Sequence, residues 1–171
     1  MVQGCFRHRR PYGVLIQAWS YGPGSLLGVC SVPSITKEYR IKARDFIHAG
    51  EGSIEIKNTL KSLGIGAELV RRVSVCAYES EMNVVMHGGD GTIALTIDDT
   101  GIVIEVQDDG PGIGDIDLAL TEGYSTALDE DREMGFGAGM GLPNIVQNSD
   151  SFEIHSLKDK GTYLTMCFWI E

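Results

Sequence analysis

The sequence lacks a long apolar run, and it is short of positive charge. A membrane-spanning helix needs about 20 predominantly apolar residues, so we expect no membrane association. Lysine and arginine number 14 against 24 aspartate and glutamate residues, which gives a net charge of −10 at pH 7. A nucleic-acid-binding domain needs a basic patch, so nucleic acid is not an expected partner. The acidity suits instead a protein partner with a basic surface.

Closely spaced cysteines are also missing. Cys5, Cys30, Cys76 and Cys167 are far apart and form no CxxC pair, the spacing that metal and redox motifs require. We therefore expect free thiols in a reducing, cytoplasmic compartment, with core packing as the role of Cys76 and Cys167. The N-terminal stretch RHRRPYGVLIQAW has basic residues ahead of apolar ones, but Gln17 and the following SYGPGS make it a poor signal peptide.

The chain does contain one region of regular apolar periodicity. Residues 1–34 are rich in Gly, Pro and Ser without periodicity, and predict a poorly ordered N-terminal extension. Residues 35–171 are enough for one domain with its own core. Within it, the pattern predicts strands at 38–43, 92–98, 102–106, 151–157 and 162–170, and helices at 51–63, 67–87 and 139–148. This order predicts an α/β fold of the α+β two-layer sandwich type, with helices on one face of a mixed, mainly antiparallel sheet.

The long predicted helix carries the first of four motifs. Glu79 and Asn83 are four residues apart in ESEMN, so their side chains share one face of the helix. A chance polar pair on a solvated face is the alternative. Against it, residues 84–86 make this end of the helix apolar, and a carboxylate and an amide there need a reason.

The other three motifs are loops, and each by itself also fits an ordinary turn. A DxGxGI motif follows a strand, a GxGxGL motif opens a helix, and KGT lies in the last hairpin. Glycines gathered in two loops let the backbone approach a ligand closely, most often a phosphate. Neither loop has the lysine of a GxxxxGK[ST] phosphate-binding loop. The residues concerned are Asp108, Gly110, Gly112 and Ile113, then Gly137, Gly139, Gly141 and Leu142, then Lys160, Gly161 and Thr162.

In this order and at this spacing, the four motifs resemble the GHKL ATPase superfamily with its Bergerat nucleotide-binding fold. Glu79 and Asn83 match the N box, residues 108–113 and 137–142 the two glycine boxes, and Gly161-Thr162 the last motif. The resemblance covers roughly residues 36–171. Within the superfamily, DDGPGIGDIDLALTEGYST and GAGMGLPNI are most similar to the anti-sigma regulatory factors and serine-protein kinases of bacterial partner-switching systems.

This resemblance implies ATP and Mg²⁺ as ligands and gives each motif a role. Asn83 would coordinate Mg²⁺, and Glu79 would act as the base for the attacking nucleophile. Asp108 and Thr162 would contact the adenine, with the first glycine loop lying against the base. The second glycine loop would offer backbone N–H groups to the phosphates at a helix N-terminus. The further residues implied to bind the nucleotide are Gly110, Gly112, Ile113, Gly137, Gly139, Gly141 and Leu142.

Residues 114–136, called the lid segment below, join the two glycine loops. The segment is polar, contains the acidic run LDEDRE and offers little to pack, so it predicts a mobile lid. Ser125 and Thr126 in it either contact phosphates or belong to a plain loop, and whether Arg132 reaches the γ-phosphate is open. His87 at the end of the long helix is either functional or a helix-end residue.

The implied function is that of a serine/threonine-protein kinase-like anti-sigma regulatory factor that phosphorylates an anti-anti-sigma (STAS-type) protein. One alternative is an ATP-liganded module that sequesters a sigma factor, and another is a GHKL ATPase that uses hydrolysis to change shape. The presence of Glu79 favours catalysis, because a nucleotide sensor needs no base. The expected partner is thus a STAS-type protein or a sigma factor, with a homodimer as a possible assembly.

Overall fold

A computed structural model describes residues 34–133 and 135–170. Cys5, Cys30 and almost all of the expected N-terminal extension lie outside these residues. The elements, in chain order, are β1 (Ile35–Ile41), α1 (Glu51–Ser62), α2 (Ala67–His87), β2 (Gly91–Ile97), β3 (Gly101–Asp108), α3 (Ile116–Ala119), α4 (Asp129–Glu133), α5 (Gly141–Asn148), β4 (Ser151–Leu157) and β5 (Gly161–Trp169).

The five strands form one sheet in the order β1-β2-β3-β5-β4. The long helix α2 packs between α1 and α5 and contacts four of the strands, β1, β2, β3 and β5. The apolar residues that alternate along the strands are buried against these helices, among them Ile93, Ile104 and Met166. The predicted α+β two-layer sandwich is therefore confirmed.

Instead of a mixed sheet, the described residues form a wholly antiparallel one. α1 and α2 form a helical hairpin. The hairpin begins and ends at the same end of the sheet, so Ile41 at the end of β1 pairs with Gly91 at the start of β2. The crossover from β3 to β4 does give two strands of the same direction. They are not neighbours, because β5 lies between them and pairs with both.

Several predicted boundaries differ from the structure by one to three residues, and two of these differences have a clear cause. α5 begins at Gly141 rather than at residue 139, because Gly137 and Gly139 have φ angles of 79° and 72°, which a right-handed helix does not accept. β1 runs over Ile35–Ile41 rather than 38–43, since its whole length pairs with β2. The predicted limits of α2, residues 67–87, are confirmed.

The two described cysteines are free thiols. Cys76 is fully buried in the core, and burial raises the pKa of its thiol to about 12. Cys167 is half-buried on β5, and burial raises its pKa as well. Because the thiolate is the reactive form, both side chains serve packing, as their spacing in the sequence predicted. No helix in the described part of the chain is long and apolar enough to cross a membrane.

Candidate functional site

A cleft of about 930 Å³ opens between α2, the loop after β3, the lid segment and the start of α5. Its apolar floor includes Val106 of β3 and Leu164 of β5. Gly110 lies outside the lining. The predicted site residues that line the cleft are Glu79, Asn83, Asp108, Gly112, Ile113, Ser125, Thr126, Gly137, Gly139, Gly141, Leu142 and Thr162. The fold therefore brings the four motifs together around one cleft.

Glu79 and Asn83 lie half-buried on the face of α2 that lines the cleft. The side-chain amide of Asn144 on α5 donates a hydrogen bond to Glu79 Oε1 at 2.7 Å, which leaves Oε2 free to face a ligand. A Cβ atom placed on Gly141 would lie 3.1 Å from Asn83 Oδ1 and 3.4 Å from Glu79 Oε2. Glycine at this position therefore keeps both oxygens accessible.

The N-terminus of α5 lies beside these two side chains. The preceding residue, Met140, makes no side-chain cap, and the first hydrogen bond within the helix runs from Asn144 N to Met140 O at 2.8 Å. The backbone N–H groups of Gly141 and Leu142 precede that bond and have no acceptor inside the helix. Together with the helix dipole they form a site suited to an anion.

Asp108 ends β3 and is half-buried. Its Oδ1 accepts hydrogen bonds from Gly110 N at 2.8 Å and from Gly89 N at 3.4 Å. Both bonds use the same oxygen, so Oδ2 is available to accept a hydrogen bond from a ligand. The two backbone donors fix the direction of the carboxylate, which is what recognition of one ligand N–H requires.

Ser156 of β4 joins the first glycine loop to the last motif. Its Oγ accepts from Ile113 N at 2.7 Å and lies 3.0 Å from Thr162 Oγ1. The same hydroxyl lies 3.1 Å from Gly161 O. One half-buried serine thus sets the distance between two loops that are far apart in the sequence.

Glycine at position 161 is required by the backbone itself. Its φ angle is 88°, and an added Cβ would lie 1.8 Å from Asp108 O. Gly139 is similar, with a φ angle of 72° and an added Cβ 2.4 Å from the carbonyl carbon of Gly123. At both positions the close neighbour belongs to the protein, so these glycines are needed to bring the loops together as well as for any ligand.

The lid segment is more structured than its polar sequence predicted. It contains α3 and α4, and Ala127 and Asp131 are buried, which corrects the expectation that it has little to pack. Ser125 Oγ accepts from Ala127 N at 3.1 Å. Arg132 lies outside the cleft lining and donates from Nε to Ala127 O at 3.4 Å.

His87 lines the cleft at the end of α2. Burial lowers the pKa of its imidazole, and this outweighs the opposite effect of the Asp131 carboxylate nearby. The ring is therefore neutral at pH 7 and adds no positive charge for a phosphate.

Glu81 and Asn144 are two residues whose importance the sequence did not reveal. Glu81 is buried, and its carboxylate accepts from Gly52 N at 3.0 Å and Ser53 N at 2.8 Å, so it caps the first turn of α1. The local sequence carries no signal for this role. Asn144 follows Gly141 by three residues on α5, and helical periodicity could have placed the two on one face.

Among residues 34–133 and 135–170, no group of three or more His, Cys, Asp or Glu side chains could hold a metal ion by itself. A single amide oxygen at Asn83 suits a cation that keeps several waters and is bound mainly through phosphates, as Mg²⁺ commonly is.

Comparison with known proteins finds one matching family and several similar proteins. Residues 70–171 match the family described as histidine kinase-, DNA gyrase B-, and HSP90-like ATPase. The chain is 30% identical over 118 residues to the serine/threonine-protein kinase RsbT of Bacillus subtilis, which is 67% of this chain and 83% of RsbT. It is 34% identical over 104 residues to an anti-sigma F factor of Caldanaerobacter subterraneus, 61% of this chain and 65% of that one. An anti-sigma F factor of Thermoanaerobacter sp. is 32% identical over 108 residues, 60% and 72% of the two chains.

Proposed function

We propose, from the fact that this chain belongs to the histidine kinase-, DNA gyrase B- and HSP90-like ATPase family, that it transfers the γ-phosphoryl group of ATP to a serine or threonine of a partner protein. The membership confirms the GHKL identification that the motifs predicted, and it implies ATP binding. We further propose the acceptor, the Mg²⁺ ion and the role of each residue. We also propose that residues 1–34 are an extension, that residues 35–171 are the ATP-binding domain, and that the protein is cytoplasmic.

The cleft suits ATP in size and in the chemistry of its lining. A volume of about 930 Å³ lies at the upper end of ordinary small-ligand sites. Asp108 Oδ2 would accept from the adenine amino group, and the N–H groups of Gly141 and Leu142 would donate to phosphate oxygens. Asn83 Oδ1 would hold Mg²⁺ beside them.

Bound ATP supplies the phosphoryl group, and the chain's own residues position and deprotonate the acceptor. Glu79 Oε2 would accept the proton of the attacking hydroxyl while Asn144 holds Oε1 in place. The donors at the start of α5 would stabilise negative charge on the phosphates. In this arrangement Glu79 is catalytic and Asn144 is a positioning residue.

The position of Glu79 between two openings carries the proposal of a protein acceptor. Besides the nucleotide cleft, a groove of about 550 Å³ between α1 and α2 ends at Tyr78 and Glu79, which line both. The groove also contains Lys57 and Lys61, which form no ion pair with another described residue. A hydroxyl presented by a protein segment in this groove could reach Glu79 without passing through the nucleotide.

Labelling with ATP tests the proposal. The chain, purified with its partner from the native cell and given γ-labelled ATP and Mg²⁺, should transfer the label to a serine or threonine of the partner. Hydrogen exchange in the lid segment should slow far more with Mg·ATP than with Mg·ADP, because the γ-phosphate is the group that a kinase senses. Phosphate release without a labelled protein would support an ATPase instead.

A sequestering module is the second candidate, favoured by the relatives that are named anti-sigma F factor. For this chain it predicts a stable complex with a sigma factor in the presence of ATP, no labelled protein, and equal protection of the lid by Mg·ADP and Mg·ATP. Either way we propose an anti-anti-sigma (STAS-type) protein or a sigma factor as the partner.

Asp108→Asn should weaken ATP binding at least about tenfold, the equivalent of losing one buried hydrogen bond of about 1–3 kcal/mol. The amide that replaces the carboxylate keeps its shape but weakens its accepting role towards the adenine. Isothermal titration with Mg·ATP measures the affinity, and thermal unfolding checks the fold. Asp109→Asn, at an exposed neighbour, is the matched control. An Asp108→Asn variant with native affinity would remove Asp108 from the adenine site.

A further inference from the structure

The turn between β1 and α1 is held tightly against the end of α2. Arg44 has a φ angle of 59°, a left-handed conformation that residues other than glycine rarely adopt. Its backbone N–H donates to Val85 O at 2.9 Å, and its Nη1 donates to Met86 O at 3.3 Å. Ala43 N donates to Asp90 Oδ1 at 3.0 Å. These bonds fix the direction in which the Arg44 side chain leaves the turn.

That side chain contacts a buried carboxylate in the lid segment. Asp131 of α4 is 0% exposed, and Arg44 Nη1 lies 2.7 Å from its Oδ1. This approach lacks the alignment of a hydrogen bond, and Oδ1 accepts no hydrogen bond from the described residues, while Oδ2 accepts from Leu128 N at 3.1 Å. A buried charge that loses its counter-charge is strongly destabilised. The Asp131 carboxylate therefore depends on Arg44.

An aromatic contact lies next to this ion pair. Phe46 in the turn stacks on Phe136 in the lid segment, with ring centroids 6.0 Å apart. The Arg44 guanidinium lies 4.9 Å above the Phe46 ring. Phe136 N also donates to Asp131 O at 2.9 Å, so a backbone hydrogen bond links the two lid residues directly. Both of them line the nucleotide cleft.

We propose that Arg44 and Phe46 form a latch that holds the lid segment over the cleft through Asp131 and Phe136. The latch rests on the proposed function only in assuming that the cleft holds ATP. Arg44 is a positioning residue, because it contacts the lid and not the cleft. Its effect is on how long a nucleotide stays bound. The acidic run of the lid is thus anchored at one carboxylate by a cation.

Arg44→Gln should speed the release of a fluorescent ATP analogue about tenfold, with little change in its association rate, because the closed lid loses its anchor. Asp131→Asn removes the stranded charge, so the double variant Arg44→Gln/Asp131→Asn should release the analogue more slowly than Arg44→Gln alone. Stopped-flow displacement measures the rates. Arg40→Gln, at an exposed arginine of β1, is the control and should behave as wild type.

Hydrogen exchange without nucleotide separates the latch from the proposed function. Amides of residues 128–133 and 135–137 should exchange faster in Arg44→Gln than in wild type or Arg40→Gln. Adding Asp131→Asn to Arg44→Gln should reverse part of this faster exchange. If wild type does not bind the analogue, the proposed function fails, yet the exchange result still decides the latch. Wild-type rates of exchange and release in Arg44→Gln would overturn the latch. So would a double variant in which the effects of Arg44→Gln and Asp131→Asn simply add.

Discussion

Glu79→Gln should lower phosphoryl transfer by about 10²–10⁴, the range typical of a positioned general base, while ATP affinity stays close to that of wild type. Glutamine keeps the size of the side chain, so α5 can still pack against α2. It cannot accept the proton of the acceptor hydroxyl. The loss should therefore appear in the rate of the chemical step and leave nucleotide binding nearly intact.

Single-turnover labelling of the partner at saturating ATP measures this rate, and titration with a fluorescent ATP analogue measures affinity. Glu68→Gln is the matched control, since Glu68 is an exposed glutamate near the start of the same helix. Glu81→Gln offers a contrast, because Glu81 caps α1 and its loss should lower the melting temperature. Unchanged turnover in Glu79→Gln would refute its role as the base.

Asn83→Ala should abolish Mg²⁺-dependent ATP binding. Asn83 Oδ1 faces the start of α5, where the phosphates are expected. Removal of a residue that hydrogen-bonds to a metal ligand typically lowers metal affinity about 10–100-fold. Removal of the ligand itself should lower the affinity further. Alanine is a good helix former, so α2 should remain intact.

Titration of ATP at several Mg²⁺ concentrations is the measurement, and the wild-type increase in affinity with Mg²⁺ should be absent in the variant. Asn83→Asp, which retains an oxygen at the same place, should recover part of the binding. Asn58→Ala, at an exposed asparagine of α1, is the control. Persisting Mg²⁺ dependence in Asn83→Ala would mean that the ion is held elsewhere.

Glu79 and Asn83 affect different quantities although they share one helix face. One variant should bind ATP and fail to transfer, and the other should fail to bind. If both variants lost binding together, the simplest cause would be a disturbed contact between α2 and α5, because Asn144 and Gly141 contact this pair. Hydrogen exchange across α5 would detect that disturbance.

Much of the fold was predictable because its signals are local. The limits of α2 follow from apolar residues at helical spacing between two glycines. The two hairpins follow from strict alternation on either side of short turns. The start of α5 was misplaced by two residues, because the glycines at 137 and 139 are needed for left-handed backbone, which composition alone does not reveal.

The sequence by itself determined the family and the elements outside the lid segment, since both depend on neighbouring residues and on four short motifs in a fixed order. Only the tertiary structure decided that Glu79 faces the cleft while Glu81 caps α1, that Asn144 holds Glu79, and that Arg44 reaches the buried Asp131. Asn144 and Glu79 are 65 residues apart along the chain. Direction and pairing of such side chains depend on packing between distant elements, which no local pattern records.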